Sequence, residues 1–218
     1  GLLRGQISKR TGTLTSLRFG ELELLAHRGA GAEGGYWSSV GQARPSSRAQ
    51  AIVDVDPATN GGQFAQITIR QAGAAGPATA AMDVDLCYAS HRGESWLYTW
   101  AVWTHGPGNA PCSVGEGRYC LKLNPELFDF LTVDEARRRL MPSPEDWDHG
   151  SPLNVKEARR MTTGVHRGEA EHKYSYAAVF AETPAYGWSS TRENVGIWII
   201  NPSLEYLAGG PTKLELTG

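Results

Sequence analysis

From Met82 to Tyr88 every second residue is large and apolar, with Asp83 and Asp85 set between Met82, Val84, Leu86 and Tyr88. A period of two sends alternate side chains to opposite faces of an extended chain, so this stretch predicts a strand with one buried and one wet face. Glu21-Leu22-Glu23-Leu24 repeats the pattern. Trp96 to Trp103 is apolar at almost every position, which predicts a strand covered on both faces and lying between two layers. The 26 glycines and 12 prolines are spread along the chain and punctuate it into many short segments. These features predict an all-β fold, a large antiparallel β-sandwich, and 218 residues suffice for one large domain of that class.

Residues 2 to 8, 13 to 19 and 21 to 26 form three further predicted strands. Ala51 to Asp56 and Gln63 to Arg70 make a pair around the turn Pro57 to Gly62. Gly29 to Gly35 and Gln71 to Ala81 read as loops. Thr132 to Met141 is ambiguous: Thr132 and Glu135 have the spacing of a capping box ahead of a short helix over Ala136 to Arg139, but Pro142 and Pro144 stop anything long. Val155 to Met161 reads as another helical turn, and Lys173 to Phe180 and Val195 to Asn201 as strands.

The net charge of -2 gives no general reason to expect a nucleic acid or an acidic membrane as partner, so any attraction for anions has to be local. No apolar run approaches membrane-spanning length. Of three cysteines, only Cys112 and Cys120 stand close enough to suggest a local bridge. The six histidines are scattered without metal-ligand spacing, so neither a metal site nor a cofactor is expected; Asp54, Asp56, Asp83 and Asp85 offer at most an incidental cation site.

Such a local cationic feature exists. In Gly115 to Asn124, Tyr119, Leu121 and Leu123 alternate with Arg118, Cys120 and Lys122. As a strand, the stretch sets Arg118 and Lys122 about 13 Å apart on one face. That row suits a linear polyanion, or it is a solvent-facing strand carrying charge for solubility. Tyr36-Trp37 fits either a core pair or a sugar-stacking platform. Lys173, in His172-Lys173-Tyr174-Ser175-Tyr176, is flanked by aromatic rings. Near Arg118 it would be partly desolvated and repelled by a like charge, which frees a neutral amine to act as a base. The plainer reading is a surface lysine whose stem packs over tyrosine. The Arg137 to Arg139 triplet fits a solvated face or a binding patch.

Taken in order, Gly34-Gly35-Tyr36-Trp37, Arg92-Gly93 before an aromatic strand, Gly115-Glu116-Gly117-Arg118 with Lys122, Arg139-Leu140-Met141-Pro142 and Lys173-Tyr174-Ser175-Tyr176 resemble the rhamnogalacturonan lyases. Gly187-Trp188, Val195 to Ile200, Pro202-Ser203, Gly209-Gly210-Pro211 and Leu216-Thr217 continue the series. These are polysaccharide lyases of family four, in their plant-like and bacterial form. The resemblance implies a galactose-mutarotase-like supersandwich, with residues 1 to 218 as a partial N-terminal catalytic domain, lacking the fibronectin-like and carbohydrate-binding domains that follow it in the family.

It also implies an endolyase that cuts rhamnogalacturonan I, the acidic polysaccharide of the pectin backbone in cell walls, by β-elimination. The protein would be secreted, extracellular and monomeric. Arg118 matches the arginine that neutralises the uronate carboxylate, Lys173 the catalytic base, and Lys122 a second cationic subsite. Arg139, Tyr174 and Tyr176 are the remaining expected substrate contacts. The family carries a further catalytic histidine beyond the Gly-Gly-Pro segment, and none of the six histidines occupies that place. The chain therefore reads as the first part of a longer lyase or as a truncated relative; the alternative is a non-catalytic sandwich that binds acidic polysaccharide.

Overall fold

The computed structural model describes residues 2–26, 34–39, 48–73, 82–115, 117–155, 157–172 and 185–200. The chain forms two compact units, Gly1–Leu123 and Asn124–Gly218. The expected all-β architecture of antiparallel sheets is found.

In the first unit β1 (Leu3–Ile7), β2 (Leu14–Phe19), β4 (Gly35–Ser39) and β9 (Gly117–Leu121) pair in that order, with β3 (Leu22–Glu23) beside β2. The second sheet runs β5 (Gln50–Val55), β6 (Phe64–Gln71), β7 (Asp83–His91), β8 (Tyr98–Thr104). Trp37 from the first sheet packs with Ile69, Val84, Leu86 and Tyr88 from the second, all buried, and Ile7, Trp103 and Tyr119 flank them. This is a β-sandwich with its core between the sheets. Tyr88 Oη donates to Gly12 O at 2.6 Å, so the polar tip of this fully buried ring meets a carbonyl of the β1–β2 turn. Pro57–Asn60 forms one 3-10 turn, capped by Asp56, and Gly61 and Gly62 leave it at positive φ.

The alternation over Met82 to Tyr88 gives β7 as expected, with Val84, Leu86 and Tyr88 inward. The expectation for Trp96 to Trp103 does not hold. Among the described residues β8 ends its sheet, and its side chains sort cleanly by face. Thr99, Ala101 and Trp103 oppose Tyr88, Leu86 and Val84 and turn to the core, whereas Tyr98, Trp100 and Val102 are exposed. Hydrophobicity on both sides was thus no sign of a second covering layer.

The second unit has one sheet ordered β11 (Arg138–Leu140), β10 (Phe130–Thr132), β15 (Ala185–Ser189), β16 (Gly196–Ile200) and another of β12 (Ser151–Pro152), β13 (Ala158–Arg160) and β14 (Ala170–His172). Leu131 and Val133 are buried against Met141, Tyr186 and Trp188. The helix expected after Thr132 is instead the turn of the β10–β11 hairpin. Asp134 Oδ1 accepts from the backbone of Ala136 and Arg137, and Arg137 folds its guanidinium back onto Asp134 Oδ2 at 2.6 Å. Such a side-chain turn competes with a helix for the same backbone donors. The one α-helix described, α1 (Pro144–His149), begins where prolines were expected to stop one, because Pro144 sits at its start and Ser143 and Asp146 close a capping box. The helical turn expected over Val155 to Met161 is strand β13 instead, paired on both sides. The expected strand Lys173 to Phe180 lies outside the described residues.

Candidate functional site

The cationic stretch is placed by strand pairing. β9 lies antiparallel to β4 with Trp37 opposite Tyr119, Tyr36 opposite Cys120 and Ser38 opposite Arg118. Trp37 and Tyr119 point inward: their rings stand 5.3 Å apart, Trp103 meets Trp37 edge-on at 5.9 Å, and Trp37 Nε1 donates to Thr99 Oγ1 at 2.8 Å. Gly35 leaves room for this packing, since a Cβ there would lie 2.8 Å from Tyr119 Oη.

With the inner residues fixed, the period of two turns Tyr36, Ser38, Arg118 and Cys120 to the outer face. Arg118 is exposed, and its Nε donates to Ser38 Oγ at 3.2 Å. Lys122 follows β9 directly, yet its backbone stays in the ladder, donating to Gly34 O at 2.6 Å and accepting from Ala26 N at 2.8 Å. Its Nζ lies 5.5 Å from the centre of the Tyr36 ring, a cation–π contact on a half-buried aromatic. Arg118 and Lys122 therefore share one face of a rigid two-strand ladder.

Tyr36 belongs to this face and Trp37 to the core, so the aromatic pair divides. Which ring turns out could be read from the sequence once Tyr119 is set opposite Trp37. All three thiols are free, so the suggested Cys112–Cys120 bridge is not formed: Cys87 is buried, Cys120 half-buried and Cys112 exposed.

Arg139, in the second unit, is engaged by its own protein. Its Nη2 donates to Glu169 Oε2 at 2.6 Å and to His166 Nδ1, and stands 3.7 Å from buried Glu171 Oε1. The hydrogen bond from Arg139 holds the Glu169 carboxyl below its ordinary range. His166, Glu169 and Glu171 bring ligand atoms within 4.8 Å of one another, a grouping the sequence reading missed. The guanidinium of Arg139 already supplies positive charge to these carboxylates. Lys173, Tyr174 and Tyr176 lie outside the described residues.

No curated protein and no solved structure matches the chain. The sequence model of the rhamnogalacturonate lyase family matches residues 1–169, a stretch that includes Arg118, Lys122 and Arg139 and stops short of Lys173. With most of its length covered by that match, the chain belongs to the rhamnogalacturonate lyase family.

Proposed function

We propose that the protein is a secreted rhamnogalacturonan endolyase in which Arg118 binds the galacturonate carboxylate, Lys122 a neighbouring unit of the polymer, and Lys173 removes the C5 proton. The observation that carries this reading is the outer face of β4 and β9, where Arg118 and Lys122 are exposed in a row on a ladder fixed from behind by Trp37 and Tyr119. The chemistry explains the residue types. Taking a proton from C5 puts new negative charge beside an existing carboxylate, and a fixed guanidinium offsets both through paired hydrogen bonds. The electron pair left at C5 forms the C4=C5 double bond, the C4–O4 bond breaks, and the departing oxygen takes up a proton.

The products are an unsaturated uronate and a rhamnose reducing end. Ultraviolet absorbance of the unsaturated uronate, followed on rhamnogalacturonan, is expected to rise with the wild-type chain and to be abolished by Lys173→Ala. Arg118→Ala is expected to slow it at least about a hundredfold, the size of loss seen when a charge-stabilising donor is removed. Retained polymer binding with no rise in absorbance would favour the truncated or the binding-only reading, and the same assay on the full gene product separates those two.

A further inference from the structure

At one end of the second sheet of the first unit, the turn His91-Arg92-Gly93-Glu94 that joins β7 to β8 faces the turn ending in Gly61 and Gly62. Arg92 is fastened there by backbone alone: its N donates to Gln63 O and its Nε to Gly62 O, each at 2.8 Å. The guanidinium lies so close over Gly62 that a Cβ at that position would collide with Nη2, and Gly62 has φ +75° besides. Among the described residues no carboxylate pairs with Arg92; Arg159 and Arg160 are likewise held by backbone carbonyls, but neither borders the hollow beside Arg92. Glu94, in the same turn, accepts from Tyr98 Oη at 3.1 Å.

Beside this arginine is a hollow of about 290 Å³, lined among others by Phe64, Ser90, His91, Arg92, Glu94 and Trp96. Its size is at the bottom of the range for ligand pockets, about 300 to 1,000 Å³. Aromatic surface leads out of it. His91 stacks on Phe64 at 4.4 Å and meets Tyr98 edge-on at 6.0 Å. Trp96, Tyr98 and Trp100, at alternate positions, are 48%, 45% and 36% exposed. Tyr98 and Trp100 lie on one face of β8, about 7 Å apart, and Trp96, just before the strand, borders the hollow, so aromatic surface is offered at more than one point.

The geometry points to a glycan subsite in which Trp96 and the β8 rings stack on the apolar faces of sugar units while Arg92 takes a uronate carboxylate in the hollow. A backbone-fastened guanidinium without an acidic partner is prepared for a carboxylate ligand, and exposed rings beside Ser, His and Glu side chains suit a molecule with apolar faces and polar edges. The choice of an acidic glycan rests on the function proposed above; the place of the subsite does not. It lies apart from the Arg118 face, which is the outer side of the other sheet.

The test is calorimetric titration of the chain with rhamnogalacturonan oligosaccharides in a Lys173→Ala background, so that the ligand stays whole. Trp96→Ala and Arg92→Ala are each expected to weaken binding about tenfold with an unchanged melting temperature, and Arg92→Lys to recover only part of the loss. Reducing the ligand carboxyls to alcohols is expected to erase the Arg92 effect and preserve that of Trp96. Binding unchanged by either alanine variant, or an Arg92 effect that survives carboxyl reduction, would overturn the assignment. Ultraviolet product formation by the unmutated chain reports separately on the elimination chemistry, so each reading can fail without the other.

Discussion

The indole of Trp37 is 6% exposed, donates to Thr99 Oγ1 and meets the rings of Trp103 and Tyr119, and its chain neighbours Tyr36 and Ser38 are thereby turned the other way. Trp37→Phe keeps a ring in place but removes the donor and some of the volume. The expected loss is about 1 to 2 kcal/mol of stability, visible as a lower urea midpoint at unchanged slope; an unshifted midpoint would mean that the Thr99 contact contributes nothing. At this scale the sequence was informative where alternation alone decides. Arg118 and Lys122 could be placed on one face because they are four residues apart in extended chain. Arg139 could not be placed, since its partners Glu169 and Glu171 stand some thirty residues downstream and no local pattern announces them.

Among elements, the contest over helix position turns on two similar four-residue signatures. Thr132 to Glu135 has capping-box spacing, but Leu131 and Val133 bury at a period of two and Asp134 collects the backbone donors that a helix would need. Ser143 to Asp146 has the same spacing with proline following the cap, and there the box closes: Ser143 Oγ accepts from Asp146 N at 3.0 Å and Asp146 Oδ2 accepts from Ser143 N at 3.3 Å. Asp146 also accepts from Thr163 Oγ1 at 2.7 Å, which ties α1 to the segment before β14. Ser143→Ala is expected to cost about 1 kcal/mol and to speed hydrogen exchange within residues 144–149; unchanged exchange there would show the cap to be dispensable. The longer strands β2, β5, β6 and β7 were legible from their alternation, whereas β11 and β13, three residues each, are too short to show a period and read as helix. β8 misled because an apolar outer face and a buried one have the same composition.

Across the whole molecule, the shifted groups divide between the two units. Arg137 bonds to Asp134, Thr163 to Asp146 and Arg139 to Glu169, and each holds its carboxyl below the ordinary range; at Asp129 burial pushes upward but hydrogen bonds from Thr191 outweigh it. All four belong to the second unit. A carboxyl whose folded pKa is depressed stabilises above its unfolded value, and that contribution is lost as pH falls below about 4. In the first unit burial pushes the Tyr88 phenol up to about 12 and Tyr119 higher still. Those groups stabilise below the unfolded value, and their contribution is lost as pH climbs from about 10. Hydrogen exchange read separately for residues 1–123 and 124–218 is therefore expected to show the second unit loosening first in acid and the first unit loosening first in alkali; the opposite order would contradict these assignments. β8 carries a different consequence for the intact chain. Among the described residues it ends its sheet, and its seven residues hold neither a charge nor a proline. Sheet edges are commonly guarded by one or the other, because an unguarded edge is a template on which another chain can add a strand. When crowded or half-folded, copies of this protein have in β8 a ready seam along which to adhere.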